Sequence, residues 1–293
     1  MSETGPVLST SVCSDPQAVR LSEALLRPIV FSRPLRLVDP TSWVTHIPFA
    51  FWLVEALAPR TVVELGTMSG NSFAALAQGV QMLGLDAACY AVDTWKGDPH
   101  SGLFGEEVFE EWSAFHDRHF GAFSRVVRST FDEALTKFED GRVDLLHIDG
   151  FHTYEAVHHD FESWLPKLSS KAVVLLHDVN VRERDFGVWQ LWEELKDRYP
   201  RFCFLHGHGL GVVGVGRELP ARVRWLLEGA SLNSEDTYLI RQFFGTLGEA
   251  LAGQHRETIM AETRTELSRR LEEKEAETER LKAELTARPK ERA

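Results

Sequence analysis

Two carboxylates and two imidazoles, each at the end of an apolar run, are where this chain can do chemistry. The stretch from Asp144 to Asp160 reads DLLHIDGFHTYEAVHHD, and a second apolar run, Ala172 to Leu176, ends in His177-Asp178-Val179-Asn180. Val143, Leu145, Leu146 and Ile148 predict a buried strand, after which Asp149, Gly150, His152 and Tyr154 arrive abruptly. In an α/β protein, ligands bind at such strand ends. Asp149 and Asp178, 29 residues apart at adjacent strand tips, can converge on one hard divalent cation. Such an ion would bind a vicinal diol or catechol and lower the pKa of its hydroxyl. His152 is the candidate general base, because an imidazole with an ordinary pKa of ~6.5 is neutral and accepting near pH 7. Tyr154 is a candidate for positioning substrate, whereas His158 and His159 fall inside the following helix, Tyr154 to Trp164, and read as surface positions.

Other elements must bring these tips together. TVVELGTMSGNSFAALAQGVQML predicts a strand over Thr61 to Val63, a glycine turn through Gly66 and Gly70, and an apolar helix carrying Phe73, Leu76 and Val80. The glycines let backbone approach a ligand closely, and the helix N-terminus offers unpaired N–H groups. A purely structural turn is the alternative. The spacing ExGxxxG lacks the glycine that lets a pyrophosphate sit on the GxGxxG turn, which favours a non-phosphate ligand. A second strand, Ala88 to Val92, ends in Asp93, placed to accept hydrogen bonds from ribose hydroxyls. Together these features predict an adenosine-containing cofactor without a pyrophosphate.

Upstream, Thr41 and Ser42 are candidate caps for a helix through Leu57, with Trp43 and His46 at its start as either packing aromatics or a substrate wall. Lys96 to His119 is longer than a typical connection and predicts a loop over the cofactor followed by a helix from Glu106, with a purely structural loop as the alternative. A third strand follows over Ser124 to Arg128, and residues 129–133 open a helix. Trp189 to Leu195 predicts a helix, and Phe202 to Leu205 with Val212 to Val215 predicts a β-hairpin across HGHGLG.

In this order VELGTMSGNS, VDTWKGD, LLHIDGFHTYEAVHHDFESWLPKL and VVLLHDVN resemble the motifs of class I S-adenosylmethionine-dependent methyltransferases. The likeness is greatest to the branch found alongside polysaccharide-building glycosyltransferases (methyltransferase family 24-like), and it spans about residues 40–216. It implies an α/β Rossmann-like fold with a seven-stranded, mostly parallel sheet, a C-terminal antiparallel hairpin and further C-terminal helices. It also implies that Glu64, Gly66, Thr67, Gly70 and Ser72 line the methionine and ribose part of S-adenosyl-L-methionine. Asp93 and Thr94 would hold the ribose, Trp95 would flank the adenine, Ser129 would touch it, and Asp149 would edge the cofactor. Metal-dependent relatives pair two acids at the second tip. Here His177 stands beside Asp178, and imidazole in place of carboxylate favours Mn²⁺ over Mg²⁺ for a site of Asp149, His177 and Asp178.

A formal charge of -12 and a pI near 5.5 exclude nonspecific nucleic-acid binding, which needs a clustered basic surface. Cys13, Cys89 and Cys203 are few, odd in number and without a CxxC pair, as expected of reduced thiols in the cytoplasm. No signal peptide and no transmembrane segment are read from the sequence. The organisation expected is an N-terminal extension over 1–40, the methyltransferase domain over 41–217, a helical extension over 218–254 and a short coiled-coil or linker helix over 255–288. In the last, Leu267, Leu271, Leu281 and Leu285 fit an a/d register interrupted by Arg264, Lys274 and Thr278, so homo-oligomerisation and a solvated linker are both open.

The expected activity is O-methylation of a sugar or glycan hydroxyl, with the sugar and a glycosyltransferase partner or fused module following from the resemblance alone. A small phenolic or natural-product acceptor is the second reading. A cofactor-binding scaffold for a glycosylation complex is the third.

Overall fold

The computed structural model describes residues 21–287; the polar N-terminal stretch with Cys13 and the tail beyond 287 lie outside the described residues. Seven strands form one sheet: β1 (Thr61–Leu65), β2 (Ala88–Asp93), β3 (Ser124–Arg128), β4 (Val143–Ile148), β5 (Leu168–His177), β6 (Arg201–Phe204) and β7 (Leu210–Gly214). Their spatial order is β3-β2-β1-β4-β5-β7-β6. The first five run parallel, and β7 pairs antiparallel with both β5 and β6. This is the Rossmann-like methyltransferase architecture expected from the motifs, closing hairpin included.

Helices cover both faces, which is why the central strands are apolar on both sides. Val62, Leu145, Val173 and Leu175 face one layer: α1 (Ile47–Leu57), α2 (Asn71–Met82) and the start of α7 (Ser234–Ala287). Val63, Leu146, Ile148, Val174 and Leu176 face the other, with α5 (Tyr154–Trp164) and α6 (Val188–Glu194). α3 (Glu106–His119) joins the first layer through Trp112, and the short α4 (Phe131–Leu135), which begins with a capping box from Thr130 and Glu133, joins the second through Ala134. The strand order reverses between β1 and β4. At such a switch point the neighbouring connections leave to opposite faces and open a crevice at the strand ends.

Three expectations change in detail. α1 begins at Ile47 after a 3-10 turn over Val44–His46, and no side chain caps either element, so Thr41 and Ser42 precede the helix without capping it. The long connection after β2 contains a small two-stranded hairpin, Gly97–Asp98 with Gly102–Leu103. α7 is a single helix of 54 residues running through the boundary expected at 254. Its first part packs on α1 and on the 3-10 turn, where a Cβ at Gly248 would lie 1.9 Å from the Thr45 carbonyl oxygen. Beyond that contact Met260, Leu267, Leu271 and Leu281 are exposed. The charges of this part pair within the helix, as in Arg270–Glu266 and Lys274–Glu277, three or four residues apart. No described helix is long and apolar enough to cross a membrane, and Cys89 and Cys203 are free thiols.

Candidate active site

A cleft of about 640 Å³ opens over the ends of β1, β2, β4 and β5. Its two halves are built differently.

Over β1 and β2 the cleft is made by backbone. Gly66, Thr67, Met68 and Ser69 line it, with Asn71 and Ser72 at the start of α2, whose N-cap, Gly70, has no side chain to occupy the free N–H groups. Asp93 holds this loop: Oδ2 accepts from the Thr67 and Met68 amides, both at 2.9 Å, and Oδ1 accepts from the Trp95 amide at 2.7 Å. Both glycines are required by the protein's own packing. At Gly66 (φ +91) a Cβ would meet the Asp149 carbonyl oxygen at 2.1 Å, and at Gly70 (φ +82) it would strike the Trp112 ring at 2.2 Å. Thr67 Oγ1 is buried without a hydrogen-bond partner among the described residues, as a polar wall awaiting a polar ligand would be. Free amides, an unpartnered hydroxyl and the volume fit the amino-acid and ribose parts of S-adenosyl-L-methionine.

Four residues expected here do not line the cleft, and the first is Gly70, which packs against the Trp112 ring. The two-residue period of β1 turns Glu64 onto the α1 face, opposite His147 in the parallel register. There it is fully buried, and His147 Nδ1–H donates to Glu64 Oε2 at 2.7 Å while Trp43 Nε1–H donates to His147 Nε2 at 3.2 Å. Burial raises the Glu64 pKa, against the pull of His147. Trp43, not Glu64, reaches the cleft wall. Trp95 is buried under the glycine loop, with its indole N–H donating to the Met68 carbonyl at 3.0 Å, so it does not line the cleft. The Ser129 hydroxyl donates to the Thr130 carbonyl, and Thr130 and Phe131 take the cleft position instead. Thr94, Ser72, Asp93 and Asp149 do line the cleft.

Over β4 and β5 the cleft is made by charged side chains in mutual contact. Asp178 sits at the tip of β5 with φ +61, a conformation that an aspartate tolerates better than most residues. His152 Nε2 lies 2.9 Å from Asp178 Oδ2 and 3.5 Å from Asp149 Oδ1. His177 Nδ1 is 3.3 Å from each of the same two oxygens, and its Nε2–H donates to the Gly207 carbonyl at 3.0 Å. His208 Nδ1 reaches the other Asp178 oxygen at 3.2 Å. Burial alone would raise both carboxyl groups, but the imidazoles hold Asp149 and Asp178 well below the usual carboxylate range. Conversely, burial would lower the imidazoles, and the carboxylates outweigh it. His152 is raised to about 9, and His177 is well above its ordinary value. The expectation of a neutral His152 is thereby corrected: between two carboxylates it carries a proton.

Asp149, His152 and Asp178 each aim one ligand atom within 4.8 Å of the others, a set able to hold a metal ion. The donor chemistry fits, because protonated imidazoles here supply the positive charge that two buried carboxylates demand. The expected set placed His177 among the ligands and His152 apart as base. In the structure His152 is in the converging group and His177 packs directly behind the same oxygens.

The hairpin over 97–104 roofs the cleft. The His100 ring stacks on Phe186 at 4.5 Å and Phe186 on His152 at 4.6 Å, while Arg184 Nη2–H donates to the His100 carbonyl at 2.6 Å. None of His100, Arg184, Phe186 or His208 was singled out from the sequence. His208 lies in the conspicuous HGHGLG turn; the others carried no local signal.

A family model for a methyltransferase domain matches residues 63–179, the segment holding the glycine loop and both strand tips. The uncharacterized protein y4gI of Sinorhizobium fredii (strain NBRC 101917 / NGR234) is 42% identical over 268 residues, which are 91% of this chain and 28% of that protein. The chain thus spans little more than a quarter of that curated relative. Similar solved structures include the O-methyltransferase NovP, with 14% identity, a TM-score of 0.47 and coverage of 59% of this chain and 80% of that one. The SAH-bound methyltransferase PaMTH1 of Podospora anserina has 14% identity, a TM-score of 0.44 and coverage of 58% and 77%.

Proposed function

We propose that the chain is an S-adenosylmethionine-dependent O-methyltransferase acting on a hydroxyl of a sugar or glycan. The observation that carries the reading is the meeting, in one cleft, of an amide-rich glycine loop with the buried cluster of Asp149, His152, His177 and Asp178. The match of residues 63–179 to a methyltransferase domain supports the transferred group. Gly66–Ser69, Asn71, Ser72, Asp93, Thr94, Thr130 and Phe131 would hold the cofactor, and the carboxylates of Asp149 and Asp178 would hold a divalent cation, leaving His152 Nε2 as the base. Such a cation supplies the positive charge the carboxylates require and lowers the pKa of an acceptor hydroxyl beside it. His152, once its own proton has left, takes the hydroxyl proton as the oxygen attacks the methyl carbon and the carbon–sulfur bond breaks toward sulfur. The stacked His100, Phe186 and His152 rings and the roof hairpin exclude water. We further propose a cytoplasmic protein that acts beside a glycosyltransferase, with the exposed part of α7 serving as linker or self-association helix.

The test offers methyl-labelled cofactor with neutral and charged monosaccharides, an oligosaccharide and a catechol, each with Mn²⁺ and with excess EDTA. Labelled sugar that depends on the ion is the expected result. Label on the catechol alone moves the acceptor to a phenol, and full turnover in EDTA removes the metal. Tight cofactor binding with no transfer to any acceptor would leave a scaffold.

A further inference from the structure

We infer that Arg184 anchors an anionic substituent of the acceptor, so that the preferred sugar carries a carboxylate or phosphate group beside the hydroxyl that is methylated. This rests on the reading of the cleft as a sugar methyltransferase site and narrows its substrate class.

Among the described residues that line the cleft, Arg184 is the single arginine or lysine, facing Asp93, Asp98, Asp149 and Asp178. Two of these acids are already engaged with the chain: Asp93 binds three backbone amides, and Asp98 accepts from His100 N, Ser101 N and Ser101 Oγ. Arg184 forms no ion pair with any of the four. Its one hydrogen bond sends Nη2–H to the His100 carbonyl at 2.6 Å, which fixes the guanidinium by one corner. Nε and Nη1 have no partner among the described residues. A guanidinium so held offers the planar pair of donors that matches two oxygens of a carboxylate or phosphate.

The backbone favours this placement over a casual surface arginine. Arg184 and Asp185 are consecutive non-glycine residues with φ +56 and +61, and the loop is tied back by Gly187 N–H to the His152 carbonyl at 2.7 Å. Two side-chain-bearing residues in the left-handed region cost stability, and such local strain collects where a side chain must be aimed. Neighbouring Arg182 turns away, donating to the Val179 carbonyl and lying over Trp189.

Position then sets the chemistry. The Arg184 guanidinium carbon is 5.9 Å from the Phe186 ring centre, and the same ring stacks on His152 at 4.6 Å. The anion anchor and the acid–imidazole cluster therefore meet at the same aromatic ring, on the scale of a single sugar unit. Phe104, Phe151 and Phe186 supply apolar faces between them. A sugar seated there would present a hydroxyl to His152 and an oxyanion to Arg184, the single arginine or lysine among the described lining residues.

The test compares methyl β-glucuronide, glucose 1-phosphate and neutral methyl β-glucoside as acceptors for the full chain with S-adenosylmethionine and Mn²⁺. The parent should favour a charged acceptor, and whether the uronide or the phosphate leads identifies the oxyanion. Arg184→Gln should lower kcat/KM for the charged acceptor on the order of 10–100-fold more than for the neutral one; Arg184→Lys should fall between. Equal loss on charged and neutral acceptors, or no preference in the parent, overturns the anchor. If the parent methylates none of the three, the sugar reading fails by itself. Titration calorimetry of methyl β-glucuronide and of glucose 1-phosphate into SAH-loaded parent and Arg184→Gln then decides the anchor, which falls if neither affinity depends on Arg184.

Discussion

The two halves of the cleft solve one problem, holding a polar ligand at the end of a sheet, by opposite means. Over β1 and β2 the protein offers amides, fixes them with a single carboxylate, and uses glycine where its own chain must pass closely. Over β4 and β5 it offers titratable side chains that compensate one another across 2.9–3.5 Å. The backbone half depends on one carboxylate and on two positions, Gly66 and Gly70, that admit no Cβ, whereas the charged half depends on its balance of carboxylates and imidazoles. The contrast teaches that the two proposed roles, cofactor holding and acceptor activation, would fail separately, even though Gly66 and Asp149 are in contact.

The largest effect expected is at that contact. Gly66→Ala adds a carbon against the Asp149 carbonyl at a backbone angle that alanine resists, and should cost about 3 kcal/mol or more of stability along with cofactor binding. Denaturant unfolding and cofactor calorimetry read both losses. Retention of either would mean that the halves are less tightly joined than the contact implies. Next, His152→Ala should lower turnover on the order of 10²-fold and leave cofactor affinity unchanged. A parallel loss of affinity would erase the division between the halves. The smallest effect is on stability. His152 is raised to about 9 from an ordinary 6.5, so in EDTA its contribution is complete below about pH 6.5 and is lost as pH rises through about 9. The melting temperature should fall over that window, on the order of 5 °C, and the fall should vanish when Mn²⁺ replaces the protons. A flat profile in EDTA would show that the proton is not held between the carboxylates.

The backbone half was largely legible beforehand because its signals are local. A β-branched run, a glycine spacing and an acid at the end of the next strand each lie within a few residues, and strand, turn and helix follow from them. Misplacements there came from reading a tip position as a pointing direction. Glu64 stands one residue before the tip, but the strand period sends it to His147 and Trp43 beneath the cleft. Trp95 stands after Asp93, yet apolar bulk and an indole N–H that donates to the Met68 carbonyl draw it under the loop.

The chain's own sequence determined the order of strands and helices, the apolar faces that make a doubly covered sheet, and the acids at the strand ends. Those follow from periodicity and turn chemistry, which act over one element at a time. Only the tertiary structure decided that His152 joins Asp149 and Asp178 while His177 backs them. It alone set His152 between two carboxylates that raise its pKa and turned Arg184, six residues past Asp178, to the cleft. The reason is electrostatic and steric together. A pKa is set by which charges lie within a few ångströms after the chain has closed, and residues separated by 29 positions become neighbours only when β4 and β5 pair.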